Sequence, residues 1–434
     1  MCRHRSERRR GACWLALVVA ALVATLTPVV VDREPAAAAE PDADLLSALG
    51  RIGAISTWYE HSNVSARLAL VSVSGNGSED ARNTVIAIAT DLADSRAEAQ
   101  FLAGTLTNRL DRVEALGRQV GRLDEQIGSN QRELDSVRLA LQQQAVERYV
   151  LGETPGVPLA TSVTIATGEQ ARAVAFEAVA DDLISRKRDL DARLADLRER
   201  LAETLDERDA TQIEVEELTG QIGELSNHLA QLEQALPGAI DTAHERRKLA
   251  TVNGLGLPLV VLDAYVQAAD GQAGETPWCA IRWQLVGGIA MVESKHGTYQ
   301  GNAVQASGRT TGTILGPLLD GSLEGTAVIG DTDGGAYDGN STFDRAIGPF
   351  QFIPGTWRMF AKDGNGDGVS DPHNLYDAAR AAASYLCHHS SLASAGDVNA
   401  SIRAYNDSAE YVRQVLGFAG GYDAFAVPAV PLPS

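Results

Sequence analysis

The sequence predicts a mainly α-helical protein in which a long antiparallel helical coiled-coil hairpin precedes a compact domain. Between about residues 80 and 250 the chain is rich in Ala, Leu, Glu, Arg, Asp and Gln, which favour helices. Apolar residues recur there at alternating spacings of four and three, the pattern of a coiled-coil seam. From about residue 254 the repeat stops and Gly, Trp, Tyr, Phe and Asp become frequent, so a different fold begins there.

The charge balance argues against nucleic acid as the main partner. Asp and Glu number 57 and Lys and Arg 37, which gives a formal net charge of −20. Binding to phosphate groups requires a basic face. Aromatic residues make up only 5% of the chain, as expected if a large part of it is a helical rod without an aromatic-rich core.

The first 39 residues are organised like an export signal. A basic stretch, Met1 to Arg10, precedes an almost wholly apolar stretch, Gly11 to Val31. The run Ala36 to Ala39 offers a cleavage site, but about 20 apolar residues are also long enough to span a bilayer. Residues 1–39 are therefore predicted to be a signal peptide or a signal anchor. The protein is expected to be exported to the cell envelope or the extracellular space.

Residues 40–79 are predicted to be a linker, and residues 80–250 the hairpin. The second arm keeps the alternating spacing from position 190 to position 236, with Leu, Val or Ile at each place except Thr204, Arg208 and Thr211. A looser apolar stripe fills the first arm. Two stripes of similar length predict that the arms pack on each other; a parallel homodimeric coiled coil is the alternative.

Gly, Pro and Thr between residues 152 and 168 separate the two stripes. Because Gly and Pro interrupt helices, the tip of the hairpin is predicted near residues 150–185. Pro237 and Gly238 predict the point at which the second arm ends.

The compact domain is predicted to occupy residues 254–425, and residues 426–434, which alternate Pro with apolar residues, a flexible tail. Its two cysteines, Cys279 and Cys387, suggest one disulfide in an oxidising compartment. Two buried free thiols are the alternative.

An apolar run of helical length, Trp283 to Val292, ends in Glu293, shortly before Gly297. A carboxyl group beside such a segment is partly desolvated, which raises its pKa and suits it to act as a general acid near neutral pH. Glutamates near helix ends are more often solvated surface residues, so this motif by itself is weak.

A second motif has the opening of an EF-hand calcium loop. Asp363, Asn365 and Asp367 stand at positions 1, 3 and 5, a glycine follows at position 6, and the Val369 carbonyl occupies position 7. The sequence departs from the pattern at position 12, where Asn374 replaces the usual glutamate. A metal-free Asp/Gly turn is the alternative.

Together, these motifs resemble the membrane-bound lytic transglycosylase B type of peptidoglycan lytic transglycosylases, in its actinobacterial form. The matching pieces occur in the expected order over about 170 residues. They are Val292-Glu293-Ser294 with His296-Gly297, Gly312 to Gly321, Asp331 to Gly335, Asp344-Arg345-Ala346, Gly348-Pro349, Gln351-Phe352-Ile353-Pro354 and Tyr405-Asn406. The resemblance implies a lysozyme-like, mainly helical catalytic domain with a groove for peptidoglycan glycan strands.

The resemblance implies that Glu293 acts alone as acid and base. It would cleave the β-1,4 bond between N-acetylmuramic acid and N-acetylglucosamine and leave a 1,6-anhydro-muramic end, for cell-wall remodelling or division. One alternative is a hydrolase that uses a second carboxylate, for which the candidates are Asp331, Asp333, Asp338 and Asp344. The other is a non-catalytic glycan-binding scaffold of the division machinery.

The remaining site residues also rest on the resemblance. Gln351, Tyr405 and Asn406 are expected to line the groove, with Tyr385 and Thr342 as further members. Asp377 stands where the family closes its calcium loop, which implies a structural Ca²⁺ held by the residues from 363 to 377. No organic cofactor is expected.

The arms have a resemblance of their own. An exported hairpin with a Tyr149-Val-Leu-Gly152 turn ahead of a cell-wall-type domain resembles the coiled-coil regions of division-associated hydrolases controlled by an FtsX-type membrane protein. This implies a regulatory arm that binds such a partner. A passive spacer or dimerisation rod is the alternative.

Overall fold

The computed structural model describes residues 43–62, 64–68, 71–150, 166–323 and 326–427. The predicted export signal, most of the predicted tail and part of the predicted hairpin tip lie outside these residues. Two compact units contain the described chain: residues 95–229 form one, and residues 43–94 with 230–427 form the other.

Helices account for most of the described residues, so the prediction of a mainly α protein is confirmed. The helices are α1 Ala43–Arg51, α2 Ile55–His61, α3 Ser78–Val150, α4 Ala166–Leu249, α5 Leu259–Glu275, α6 Trp283–Ser294, α7 Pro354–Phe360, α8 Leu375–His389, α9 Ala395–Tyr405 and α10 Ala409–Tyr422. The strands are β1 Val73–Ser74, β2 Thr251–Val252, β3 Leu315–Leu318 and β4 Arg345–Ile347. They form two antiparallel pairs, β1 with β2 and β3 with β4.

In the unit of residues 95–229, α3 and α4 form an antiparallel pair. Arg109 contacts Glu214 at 2.8 Å, Glu133 contacts Arg186 at 2.7 Å, and Arg148 contacts Glu177 at 3.5 Å. The partner's number falls as the number on α3 rises, which only antiparallel helices allow. Apolar seam residues lie buried along the two helices, among them Leu106, Leu123, Leu134, Val137, Leu190, Leu194, Val215 and Ile222. The predicted hairpin is therefore confirmed as an intramolecular pair.

The buried hydroxyl groups that interrupt the apolar seam are hydrogen-bonded. Thr204 and Thr211 are buried, and each Oγ1 donates to the carbonyl oxygen four residues earlier, at 2.7 Å in both cases. Gln119 Nε2 of α3 donates to Thr204 Oγ1 at 3.2 Å. Buried hydroxyls with partners are tolerated in an apolar seam, where unpaired ones destabilise it.

The region predicted as a linker, 40–79, is instead folded. From Ala43 onwards it forms α1, α2, a 3₁₀ turn and β1. Leu45, Leu49 and Trp58 are buried. The prediction was wrong because a short amphipathic helix leaves little signal in sequence; its apolar face becomes evident only when a partner covers it.

The predicted end of the second arm at Pro237 is also wrong, because α4 continues through this proline to Leu249. The turns beyond it are held by the N-terminal segment. His244 Nε2 lies 2.9 Å from the Trp58 carbonyl oxygen, and Arg247 donates to the carbonyl oxygens of Leu68 at 2.9 Å and Val71 at 2.7 Å. These contacts offset the hydrogen bond that proline removes from a helix.

The boundary predicted at residue 254 does not separate two cores. Leu68, Val71 and Val252 belong to the same buried cluster as α5, whose residues from Leu259 to Val266 are buried on every side. Asp263 of α5 accepts a hydrogen bond from the Ser65 amide at 2.7 Å. The unit that contains Glu293, the predicted catalytic residue, therefore includes the N-terminal segment.

The predicted disulfide is present. Cys279 and Cys387 are bonded and buried, and they join the segment before α6 to the last turns of α8. None of the helices in the described part of the chain is both long enough and apolar enough to cross a membrane.

Candidate active site

Glu293 lies on the last turn of α6, a helix that runs through the core. Leu285, Val286, Ile289 and Ala290 are buried, which makes this helix apolar almost all round. It ends at Ser294 because Lys295 takes a left-handed conformation with φ 50°. Ser294 Oγ donates to the Pro349 carbonyl oxygen at 2.6 Å. The end of α6 is thereby tied to the turn that precedes Gln351.

The surroundings of Glu293 raise its pKa to about 7, because burial disfavours the charged carboxylate. A hydrogen bond from Tyr411 acts in the opposite direction and lowers the pKa, since it stabilises the charged form. Burial is the larger effect. The carboxyl group therefore exchanges its proton near neutral pH, as the sequence predicts for a general acid and base.

Tyr411 is the residue that sequence reasoning missed. Its hydroxyl donates to Glu293 Oε1. The side chain is buried, and burial together with the neighbouring Glu293 raises its own pKa above the usual value. Ser408 caps α10 by accepting a hydrogen bond from the Tyr411 amide at 3.3 Å, which holds this tyrosine in the first turn. Neither spacing nor composition distinguishes Tyr411 from the other tyrosines of the domain.

Tyr405, Tyr385 and Gln351, three of the predicted groove residues, lie together around the Phe350–Phe352 turn. Tyr405 Oη donates to the Phe350 carbonyl oxygen at 2.8 Å, and its ring centre lies 5.2 Å from that of Tyr385. Burial and the charge of Glu293 raise the pKa of Tyr405 well above its usual value, so Tyr405 is within electrostatic reach of Glu293.

Gln351 is positioned by an unusual turn. Its own φ is 50°, and its Nε2 donates to the Gly348 carbonyl oxygen at 2.8 Å. Gly348 has φ 74°, and a Cβ there would lie 1.9 Å from the Pro372 carbonyl oxygen. Only glycine fits this close approach, which explains the Gly348-Pro349 motif in front of Gln351.

The other two predicted groove residues are exposed. Asn406 follows Tyr405 directly and is the C-terminal cap of α9. Thr342 lies in the 331–344 loop, where its amide donates to Asn340 Oδ1 at 2.9 Å. The contacts recorded for the described residues do not join Thr342 to Glu293 or to the three groove residues.

The loop from 331 to 344 contains the aspartates that the sequence offers as a second catalytic carboxylate. Carboxylate oxygens of Asp331, Asp333 and Asp344 lie within 4.8 Å of one another. Asp344 is buried and accepts from Thr332 Oγ1 at 2.7 Å. Asp331 accepts from the Gly334 amide at 2.9 Å, and Asp338 accepts from the Arg345 amide at 2.6 Å. Each carboxylate is thus used to shape its own loop.

The predicted calcium loop folds around its own carboxylates. Asp363 accepts hydrogen bonds from the amides of Gly366, at 2.7 Å, and Gly368, at 2.8 Å. Asp367 Oδ1 accepts from the Val369 amide at 2.9 Å. Carboxylate, amide and carbonyl oxygens are the ligand atoms that Ca²⁺ prefers. The chemistry of these residues therefore fits a calcium ion.

Asp377 reaches back into this loop from the first turn of α8. Its carboxylate is fully buried and accepts from the amides of Gly364 at 2.7 Å and Asp371 at 2.9 Å. Burial raises its pKa to about 6. Asp371 itself accepts from the His373 amide at 2.9 Å and pairs with Arg309 at 3.2 Å, so it caps the following segment.

Comparison with known proteins identifies one region. Residues 334–395 match the family model described as the Transglycosylase SLT domain. The matched region contains Thr342, Gln351, Tyr385 and the 363–377 loop, whereas Glu293, Tyr405 and Tyr411 lie outside it. No curated protein matches the chain, and no solved structure does. The match supports a glycan-cleaving enzyme of the lysozyme-like, lytic transglycosylase kind, with peptidoglycan as its substrate.

Replacing Tyr411 with Phe is expected to move the pH profile. The hydrogen bond from Tyr411 lowers the pKa of Glu293, so its loss raises that pKa further. Activity that requires protonated Glu293 falls as pH rises through this pKa, and the alkaline limb of kcat/KM should shift to higher pH. We also expect kcat to fall roughly tenfold to hundredfold, because the carboxyl group is less well oriented. Peptidoglycan turnover measured from pH 5 to 9 tests this prediction.

Tyr265→Phe is the matched control. It also removes a buried hydroxyl, which lies 2.9 Å from His296 Nδ1 and, within the described part of the chain, does not contact Glu293. In Tyr265→Phe the alkaline limb of kcat/KM should stay at the wild-type pH. Equal shifts in both variants would contradict a specific effect of Tyr411.

Proposed function

We propose that this protein is a lytic transglycosylase that cleaves the β-1,4 bond between N-acetylmuramic acid and N-acetylglucosamine and leaves 1,6-anhydro ends. The observation that carries the proposal is Glu293, a partly buried carboxyl group with a pKa near 7 whose Oε1 accepts a hydrogen bond from Tyr411. The rival carboxylates of the 331–344 loop accept hydrogen bonds from backbone and hydroxyl groups of the same part of the chain. This favours a single-carboxyl mechanism over a hydrolase with two.

Glu293 serves twice in this mechanism. In its protonated form it donates its proton to the glycosidic oxygen, and the bond from that oxygen to C1 of the muramic residue breaks. The resulting carboxylate then accepts the proton of the C6 hydroxyl as O6 attacks C1. The new C1–O6 bond closes the anhydro ring, Glu293 is protonated again, and no water is consumed. A pKa near the working pH suits a group that must give and take the same proton.

The surroundings of Glu293 support the remaining requirements. The C6 hydroxyl belongs to the reacting sugar, so the attack is intramolecular and gains from proximity. Tyr405 is within electrostatic reach of Glu293, and Gln351 and Tyr385 lie with Tyr405 around the Phe350–Phe352 turn. Together these three residues provide the amide, hydroxyl and ring surfaces that hold a sugar. Their proposed role is to orient the muramic residue.

Mass spectrometry of the products tests the reaction. The whole purified protein is incubated with peptidoglycan, because Leu68 and Val71 share the core of the domain and a fragment from residue 254 lacks them. We expect anhydro-muropeptides from the wild type and a loss of activity on the order of 10³-fold in Glu293→Gln. Asp331→Asn is the control and should retain the product.

The other outcomes are distinct. Reducing-end products that disappear in an aspartate variant of the 331–344 loop would identify a hydrolase. Glycan binding without cleavage in the wild type would favour the scaffold.

We also propose that the 363–377 loop holds a structural Ca²⁺. Asp363, Asn365, Asp367, the Val369 carbonyl and Asp377 would hold the ion, which neutralises carboxylates that otherwise repel one another. The buried Asp377 lies on α8 beside Tyr376, whose hydroxyl donates to Asp263 of α5 at 2.7 Å. The role of the calcium ion is to stabilise this part of the domain, and the ion takes no part in bond breaking.

Removing calcium should lower Tm. A ligand present at about one hundred times its Kd stabilises by about 2.7 kcal/mol, so chelation should lower Tm by roughly 5 °C or more. Calorimetry with calcium and with a chelator measures the change. Asp377→Asn should abolish the response, whereas Asp331→Asn, in a different loop, should keep it. An unchanged Tm on chelation would exclude a structural calcium ion here.

We propose further that the protein is exported and acts in division, with the hairpin binding an FtsX-type membrane partner. The supporting observation is a group of exposed apolar side chains where α3 ends and α4 begins. Tyr149 is 85% exposed, Val174 67% and Val146 61%. Arg148 and Glu177 pair at 3.5 Å in this region, so both helices contribute to the same end of the pair.

Binding to the extracellular domain of the FtsX-type protein from the same genome tests this partner. The double variant Val146→Ser, Tyr149→Ser should lose most of the binding because it removes apolar contact area. Phe101→Ser is the matched control, since Phe101 is 72% exposed on the same helix but 45 positions before Val146. Equal binding by all three proteins, or none by the wild type, would reject this interaction.

A further inference from the structure

The C-terminal helix α10 packs along α6 through one stripe of residues. Tyr411, Val415, Ala419 and Tyr422 recur at spacings of four, four and three, which places them on one face of a helix. Tyr411 contacts Glu293 at one end of the stripe. Tyr422 stacks on Trp283, at the opposite end of α6, with ring centres 5.9 Å apart. The two helices are therefore antiparallel along the full length of α6.

Midway along this interface the two backbones nearly touch. A Cβ at Gly288 would lie 2.6 Å from the Val415 carbonyl oxygen and 3.3 Å from the Ala419 amide nitrogen. Both neighbours are backbone atoms of α10, so no side-chain rotation can relieve the contact. Any residue larger than glycine at position 288 must push the two helices apart.

Tyr411 lies close to the narrow point of this interface. Tyr411 precedes Val415 by one helical turn on the same stripe, and its hydroxyl is the group that donates to Glu293. A helix moves as a rigid rod over such a distance, so a displacement at Val415 is transmitted to Tyr411. A hydrogen bond weakens steeply once its geometry is lost.

We propose that Gly288 is a positioning residue: its missing side chain lets α10 approach α6 closely enough for Tyr411 to hold the carboxyl group of Glu293. This inference rests on the proposed function and extends it, because it names a residue that acts on the catalytic group only through Tyr411. In the described residues, the atoms nearest to a Cβ at Gly288 belong to α10 and not to Glu293.

Two neighbouring glycines provide a matched comparison. Gly287→Ala adds the same methyl group to the same helix with the same gain in helix propensity, about 1 kcal/mol. A Cβ at Gly287 would meet the rings of Tyr265 and Tyr422, each at 3.3 Å, and rings can shift by small rotations. Gly288→Ala should lower kcat roughly tenfold to hundredfold with little change in KM, whereas Gly287→Ala should lower it far less.

A double-variant cycle tests the route of the effect. If Gly288 acts through Tyr411, then Gly288→Ala should cost little in a Tyr411→Phe background, since the hydrogen bond is already absent. Additive losses would overturn the proposal. Where Gly288→Ala fails to fold, Tyr422→Phe replaces it: this change removes the hydroxyl 2.9 Å from His296 Nε2 and loosens the other end of α10. The same non-additivity with Tyr411→Phe is then expected.

A readout independent of turnover separates this inference from the proposed reaction. The pKa of Glu293 can be followed by NMR of the whole protein labelled with ¹³C at the glutamate carboxyl, with Glu293→Gln to assign the signal. Tyr411 of α10 and Tyr405 of α9 are the titratable groups recorded against Glu293 in the described residues. Gly288→Ala should raise this pKa, because it removes a donor to the carboxylate, and Gly287→Ala should leave it near the wild-type value.

The outcomes of these experiments differ for the two claims. A wild type that makes reducing-end products, together with a raised Glu293 pKa in Gly288→Ala, would reject the transglycosylase and keep the positioning role. If the wild type makes anhydro products and the pKa of Glu293 is unchanged in Gly288→Ala, the transglycosylase is kept and the positioning role of Gly288 is rejected.

Discussion

The burial of one carboxyl group at the end of an apolar helix is the constraint on which the candidate site depends. Glu293 has a pKa near 7 because α6 brings it to the edge of the core, where water no longer stabilises its charge. A buried carboxyl group destabilises the fold unless it is hydrogen-bonded. Tyr411 supplies a donor, and the bond from Ser294 to Pro349 holds the end of the helix in place. The chemistry and the local packing are therefore parts of one arrangement.

The core that supports this arrangement draws on distant parts of the chain. Leu68 and Val252 pack in the same cluster as the helices around Glu293, and the disulfide from Cys279 to Cys387 fixes the segment before α6 to α8. Arg247, near the end of α4, donates to carbonyl oxygens of the N-terminal segment. The C-terminal end of α4 is thus built into the domain that contains the candidate site.

Much of the candidate site could be predicted from sequence because its residues stand in short, ordered motifs. Glu293 follows an apolar run, and Gln351 follows a Gly-Pro turn that only glycine at 348 permits. Tyr411 could not be found in this way, since its role depends on how α10 lies against α6. The same reason explains the error over residues 40–79: α1 and α2 are short, and Trp58 of α2 packs on His244, far along the chain.

The sequence by itself determined the mainly α class of fold and the two helical arms, because periodicity and composition act locally and repeat over many residues. It also placed the oxygen-bearing side chains of the 363–377 loop close together in the chain. Only the tertiary structure decided that α4 continues beyond Pro237 and that Tyr411 meets Glu293. Both depend on contacts between segments that are distant in sequence. Their energies come from burial and hydrogen bonding, and neither leaves a local pattern to detect.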